Sequence, residues 1–168
     1  MKHNHTRAMI TLGLLTAMEI VLSRFCSISA WNVKIGFSFV PVAFAALRLG
    51  PLQGGLVGAL GDFLGAVLFP IGAYFPGFTL TAFLTGLVFG LFLKEKPSPW
   101  RILGAVLVNQ LIFSLLVNSL WISILYSTPF VPLVLTRSLQ CLVLAPAHFI
   151  LISCMIPALS RFERRNAA

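Results

Sequence analysis

Six apolar runs, each closed by a short polar or Gly/Pro-rich break, take up almost the whole chain: residues 8–23, 37–49, 52–69, 77–93, 102–126 and 133–159. A helix needs about 20 apolar residues to cross the hydrocarbon of a bilayer. The pattern therefore predicts an all-α integral membrane protein that crosses about six times, with one membrane domain over residues 1–168 and no length left for a soluble one. Composition agrees, since 58% of the residues are hydrophobic, 10% are charged and mean hydropathy is +0.97. A soluble domain carries roughly a quarter charged residues.

The breaks differ in kind. The stretch from Arg24 to Gly36 is a substantial polar-aromatic loop, Gly50-Pro51 is a tight turn, and IGAYFPG is a loop whose tip carries Tyr74 and Phe75. KEKPSPWR is the clearest polar break, STPFVP makes the last turn and RFERR is a basic tail. The basic start MKHNHTRAM is followed by no small-x-small cleavage site, so the first run reads as a permanent span. Lys2, Arg7, Arg48, Lys94, Lys96, Arg101, Arg161, Arg164 and Arg165 all fall on one side of this threading, nine of the twelve basic residues. By the positive-inside rule that side is cytoplasmic, with both termini. The same placement at the ends of apolar runs makes topology a better account of the +8 charge than nucleic acid binding.

Arg24, Lys34 and Arg137 are left on the outer side, where the rule gives no reason for them. A charge within a span costs about 2.5–3.5 kcal/mol even on the lenient insertion scale, so Glu19, Asp62 and Arg137 need partners or a cavity, and Asp62 or Glu19 is the expected partner of Arg137. Asn118, Trp121 and Gln140 share their layer, below Arg24, Trp31, Lys34, Tyr74 and Phe75 on the loops. Such a set suits an anionic ligand with a flat ring system, because rings stack on aromatics and cations take carboxylate or phosphate. It equally suits an aromatic belt with Arg24 and Lys34 on lipid headgroups. Asn109 reads as an interhelical hydrogen-bonding residue and His148 as a packed helix residue.

Gly54, Gly58, Gly61 and Gly65, with Ala82, Gly86 and Gly90, have the four-residue rhythm that lets helices approach closely in lipid. Gly13 and Ala17 form one such pair on the first span, and spacing alone favours internal packing there too. Cys26, Cys141 and Cys154 contain no CxxC pair and read as small buried packing residues. No phosphate-binding GxxxxGK[ST] occurs, so the chain is not expected to hydrolyse ATP alone. No metal site or enzymatic constellation has positive support.

The segments GLLTAMEIVLSRFCSI, IGFSFVPVAFAALRLGP and GGLVGALGDFLGAVLFPIGAYFPGFTLTAFLTGLVFGLFL resemble the folate-type S component of energy-coupling-factor vitamin transporters. The DFLGA and GAYFPGFT portions are the most specific, and the likeness covers nearly the whole chain. The resemblance implies a six-helix S-component bundle in a bacterial cell membrane, with an outward-facing pocket for folate or reduced folate. It also implies a transmembrane coupling subunit (EcfT) and two ATPase subunits (EcfA and EcfA') that use the ATP, no cofactor in this chain, and release of the vitamin inside when the S component topples. Members of that family dock the coupling subunit through an alanine-xxx-alanine pair, whose place is held here by Gly13 and Ala17. That favours a partner contact over internal packing at the pair. On this reading Arg24, Lys34 and Arg137 meet carboxylates or a ring carbonyl, Trp31, Tyr74, Phe75 and Trp121 stack on or cover the rings, and Asn118 and Gln140 read the ring edge. An S component for another compound, such as a queuosine precursor, and a structural membrane protein are the competing expectations.

Overall fold

The computed structural model describes the backbone of residues 2–30, 33–94 and 98–166, and the side chains of residues 6–27, 36–94 and 98–157. The helices are α1 (Lys2–Arg24), α2 (Phe39–Arg48), α3 (Pro51–Leu68), α4 (Pro76–Leu93), α5 (Pro99–Leu107), α6 (Asn118–Tyr126) and α7 (Phe130–Asn166). A π-helical segment, Val108–Val117, joins α5 to α6 into one rod. Among the described residues, five helical stretches are long and apolar enough to cross a membrane. The run at 37–49 is the exception. Its helix α2 has ten residues and rises about 15 Å, half the hydrocarbon thickness of about 30 Å.

The chain reaches α2 through a feature that hydropathy does not signal. The first loop contains a two-stranded antiparallel hairpin, β1 (Ile28–Ala30) with β2 (Val33–Ile35), in which Ser29 pairs with Lys34. β-Branched Ile28, Val33 and Ile35 favour this extended form. Trp31 lies outside the described residues, as does the side chain of Lys34.

Close packing follows the small residues. Gly54 stands so near α2 that an added Cβ would lie 2.5 Å from that of Ala46, and one at Gly58 would lie 2.5 Å from the Ala82 carbonyl of α4. A Cβ at Gly86 would overlap the backbone of Gly54. Further along α3 the partner changes to α1, with Gly61 against Glu19 and Gly65 against Arg24. Gly50, at φ 123°, makes the turn between α2 and α3 that a side chain would resist, and Pro51 begins α3 where its missing N–H is no loss.

The apolar core gathers Leu15, Ala45, Ala46, Val57, Leu93 and Ile102 with their neighbours, beside the α2–α3 and α4–α5 connections. Leu135, Leu139, Leu142 and Val143 of α7 and Met9, Ile10 and Leu14 of α1 stay exposed on the outside, as lipid-facing surfaces require. Of the cysteines only Cys141 is buried; Cys26, in the bend after α1, and Cys154, on α7, are exposed, against the expectation that all three are buried packing residues.

Candidate functional site

At the end of the bundle bearing the hairpin and the α3–α4 loop, the polar residues of α1, α3 and α4 form one network. Arg24 stands over Gly65, and a Cβ there would come 2.8 Å from its Nε. Its Nη2 lies 3.9 Å from Asp62 Oδ1 and donates to the Asp62 carbonyl at 3.3 Å. Asp62 Oδ2 accepts from Thr79 Oγ1 at 2.9 Å, and the Tyr74 hydroxyl joins Thr79 at 3.2 Å. Of the two carboxylates expected as partners for Arg137, Asp62 is thus paired with Arg24, because Gly65 on α3 makes room for that guanidinium beside it. Glu19 is buried against Gly61.

These residues border a cavity of about 360 Å³ whose lining includes Glu19, Arg24, Asp62, Tyr74, Phe75 and Asn118. Phe75 meets Trp121 with ring centroids 5.4 Å apart. Trp121 itself lines neither this cavity nor the next. Its ring lies on Gly77 and its indole N–H donates to Thr81 Oγ1 at 3.0 Å. It therefore stands behind Phe75 and backs the aromatic wall.

A second cavity of about 200 Å³ lies further from the loops, between α4, the π-helical segment and α7. Its walls include Asn109, Gln110, Ser114, Arg137, Gln140 and His148. Arg137 donates through Nη2 to the Ser114 carbonyl at 3.1 Å, and Cys141 Sγ reaches the Gln110 carbonyl at 3.4 Å. Both acceptors belong to the π-helical segment, whose i→i+5 ladder displaces carbonyls from regular helical pairing. His148 Nδ1 is within hydrogen-bonding distance of Gln110 Nε2 and the Leu144 carbonyl, and its ring meets Phe39 edge-on. His148 is packed, as its lone position in an apolar run suggests, yet it also faces the cavity.

Ser38, Phe39, Thr85 and Asn118 border both cavities, so the two adjoin as an outer and a deeper chamber. Small-molecule sites usually occupy about 300–1,000 Å³, a range the outer chamber already enters. Of the residues selected from sequence, the outer chamber brings together Arg24, Tyr74, Phe75 and Asn118 with Glu19 and Asp62, and the deeper one Asn118, Arg137 and Gln140. Gly13 and Ala17 lie apart, exposed on α1, and nothing approaches within 4 Å of a Cβ built at Gly13.

Sequence reasoning missed Ser38, Phe39 and Thr85 at the junction and Gln110 at the base. It misjudged Asn109, which forms no side-chain hydrogen bond with the described residues instead of bridging two helices. The adjacent Asn109-Gln110 pair in mid-span was the available signal, since amides in an apolar run need either partners or a cavity.

Comparison with known proteins places this geometry in context. The family described as ECF-type riboflavin transporter, S component, matches residues 3–159. The folate transporter FolT of Clostridium novyi (strain NT) is 39% identical over 159 residues, covering 94% of this chain and 92% of that protein. The folate transporter FolT of Leuconostoc mesenteroides subsp. mesenteroides is 36% identical over 112 residues, 66% of this chain and 60% of the relative. Among solved structures, a crystal structure of FolT bound with folic acid superposes with a TM-score of 0.85 at 30% identity, covering 89% of this chain and 92% of that one. The S component of a bacterial ECF transporter superposes with a TM-score of 0.66 at 19% identity, covering 94% and 98%, and bears on the fold alone.

Proposed function

The chain belongs to the S-component family of ECF-type transporters, and from that premise we propose that it is the folate-binding membrane subunit of an ATP-driven vitamin importer. The observation that carries this reading is the pair of adjoining chambers in which guanidinium, aromatic and amide groups follow one another along the bundle. Arg24, Tyr74 and Phe75 stand at the loop end and Asn118, Arg137 and Gln140 further in. Folate is a flat pterin joined through an aromatic ring to a dicarboxylate. Amides suit the donor and acceptor edge of its heterocycle, aromatic rings suit its planar parts, and guanidinium suits its carboxylates.

In this reading the loop end faces the outside of a bacterial cell membrane and both termini are cytoplasmic, in keeping with the nine basic residues on the opposite side. The exposed Gly13–Ala17 pair of α1 docks the transmembrane coupling subunit EcfT, since two small residues four apart allow close helix approach. ATP is hydrolysed by EcfA and EcfA', and the loaded subunit tips within the bilayer to release folate inside. This chain contributes capture and delivery, with no reaction of its own.

The name of the matching family raises riboflavin as a second ligand. Riboflavin has a flat ring system but no carboxylate for Arg24 or Arg137, so folate is the better fit. Calorimetric titration of the purified protein decides between them. Folic acid is expected to bind at least about tenfold tighter than riboflavin, as one charge-assisted contact provides. Tighter binding of riboflavin would overturn the folate reading and leave the S-component reading standing.

A further inference from the structure

Asn109 is 8% exposed and lines the deeper chamber. Both its Oδ1 and its Nδ2 are buried without a hydrogen-bond partner among the described residues, and Asn118 Oδ1 is in the same condition. An unmatched amide in an apolar interior destabilises the protein that carries it. It is retained where something else supplies the missing partners.

The backbone accounts for the aim of these two amides. In an α-helix of about 3.6 residues per turn, positions nine apart are two and a half turns apart and lie on opposite faces. A π-helix winds about 4.4 residues per turn, so nine positions make close to two full turns and return to one face. Val108–Val117 covers the interval between Asn109 and Asn118, and both residues border the deeper chamber. The widened turn therefore converts two amides that α-helical spacing would set apart into one recognition surface.

We infer that Asn109 is a specificity-determining residue, its amide matching an adjacent donor and acceptor on the edge of a flat heterocycle seated in the deeper chamber. A carboxamide offers one acceptor and two donors in one plane, which complements a lactam edge such as that of a pterin or a flavin. The inference rests on the S-component reading and deepens it by naming the group that meets the heterocycle. Phe39 and Thr85 border the same space and supply no comparable pair of groups.

The test is Asn109→Leu, which keeps the branched heavy-atom skeleton with bulkier methyl groups and removes the amide, in purified full-length protein. Folic acid and riboflavin are each titrated by calorimetry, and thermal stability is measured without ligand. For whichever ligand the wild-type protein binds, affinity is expected to fall about thirtyfold or more, as loss of two buried hydrogen bonds implies. Ligand-free stability should hold or rise, because the unmatched amide is gone. Should leucine prevent recovery of folded protein, Asn109→Ser, which is smaller and cannot span the same two contacts, is read by the same criteria. Affinity within about threefold of wild type, or a loss that tracks a fall in ligand-free stability, would overturn the inference. Wild-type binding of riboflavin alone would remove folate while the Asn109 comparison is still decided on riboflavin. Binding of neither would overturn both readings.

Discussion

Beside the α2–α3 and α4–α5 connections, Ala43, Ala45, Ala46, Val57 and Leu93 are fully buried. Near the hairpin and the α3–α4 loop, Glu19, Arg24, Asp62 and Tyr74 border open space, with Thr79 bonded to both Asp62 and Tyr74. Both regions use the same helices α3 and α4, and their glycines show the division of labour. Gly54, Gly58 and Gly86 bring backbone against backbone or small side chain, whereas Gly61 and Gly65 make room for the carboxylate of Glu19 and the guanidinium of Arg24. In lipid, where apolar side chains gain little by leaving their solvent, such close packing is a main source of cohesion. The packed region stabilises the bundle so that the other can remain hollow and polar.

The largest expected effect comes from breaking the packed region. Gly86→Leu forces a side chain into the backbone of Gly54 and should destabilise by about 3 kcal/mol or more, measured as a lower thermal midpoint in detergent. Retention of wild-type stability would mean that α3 and α4 can separate freely, against the comparison. Next is the hollow region. Arg24→Ala leaves Asp62 without its guanidinium and should weaken folic acid binding by about 1–3 kcal/mol, with a smaller loss of stability than Gly86→Leu. If calorimetry instead finds affinity unchanged and stability reduced, Arg24 is a brace for α3 and no part of the binding surface. The smallest effect on the fold is expected outside both regions. Gly13→Trp meets open space and should change stability by no more than about 0.5 kcal/mol, leave ligand affinity intact and abolish copurification with the coupling subunit. A full complex with this variant would remove the proposed docking face.

The bundle and much of the outer chamber were legible because an ion in an apolar run is expensive and therefore conspicuous. Glu19, Asp62 and Arg137 could be selected on that ground alone, Arg24 as a cation on the outer side, and Tyr74 and Phe75 from the Gly/Pro bracket around them. Hydropathy was uninformative where it averages over geometry. The apolar run at 37–49 contains only a ten-residue helix, and the loop before it folds into a hairpin. Asn109 was read as an interhelical hydrogen-bonding residue, and nothing in VNQLIFSLLV announces the π-helix that accompanies its place on the same chamber as Asn118. The side-chain partner of Asp62 was also out of reach, since it depends on which helix Gly65 admits.

The most direct test of the account is a structure of this protein determined with folic acid. The predicted result is one ligand running through both chambers, its heterocycle within hydrogen-bonding distance of Asn109 and Asn118 and its carboxylates toward Arg24 at the loop end. Folic acid bound elsewhere on the bundle, with both asparagines and Arg24 out of contact, would contradict it.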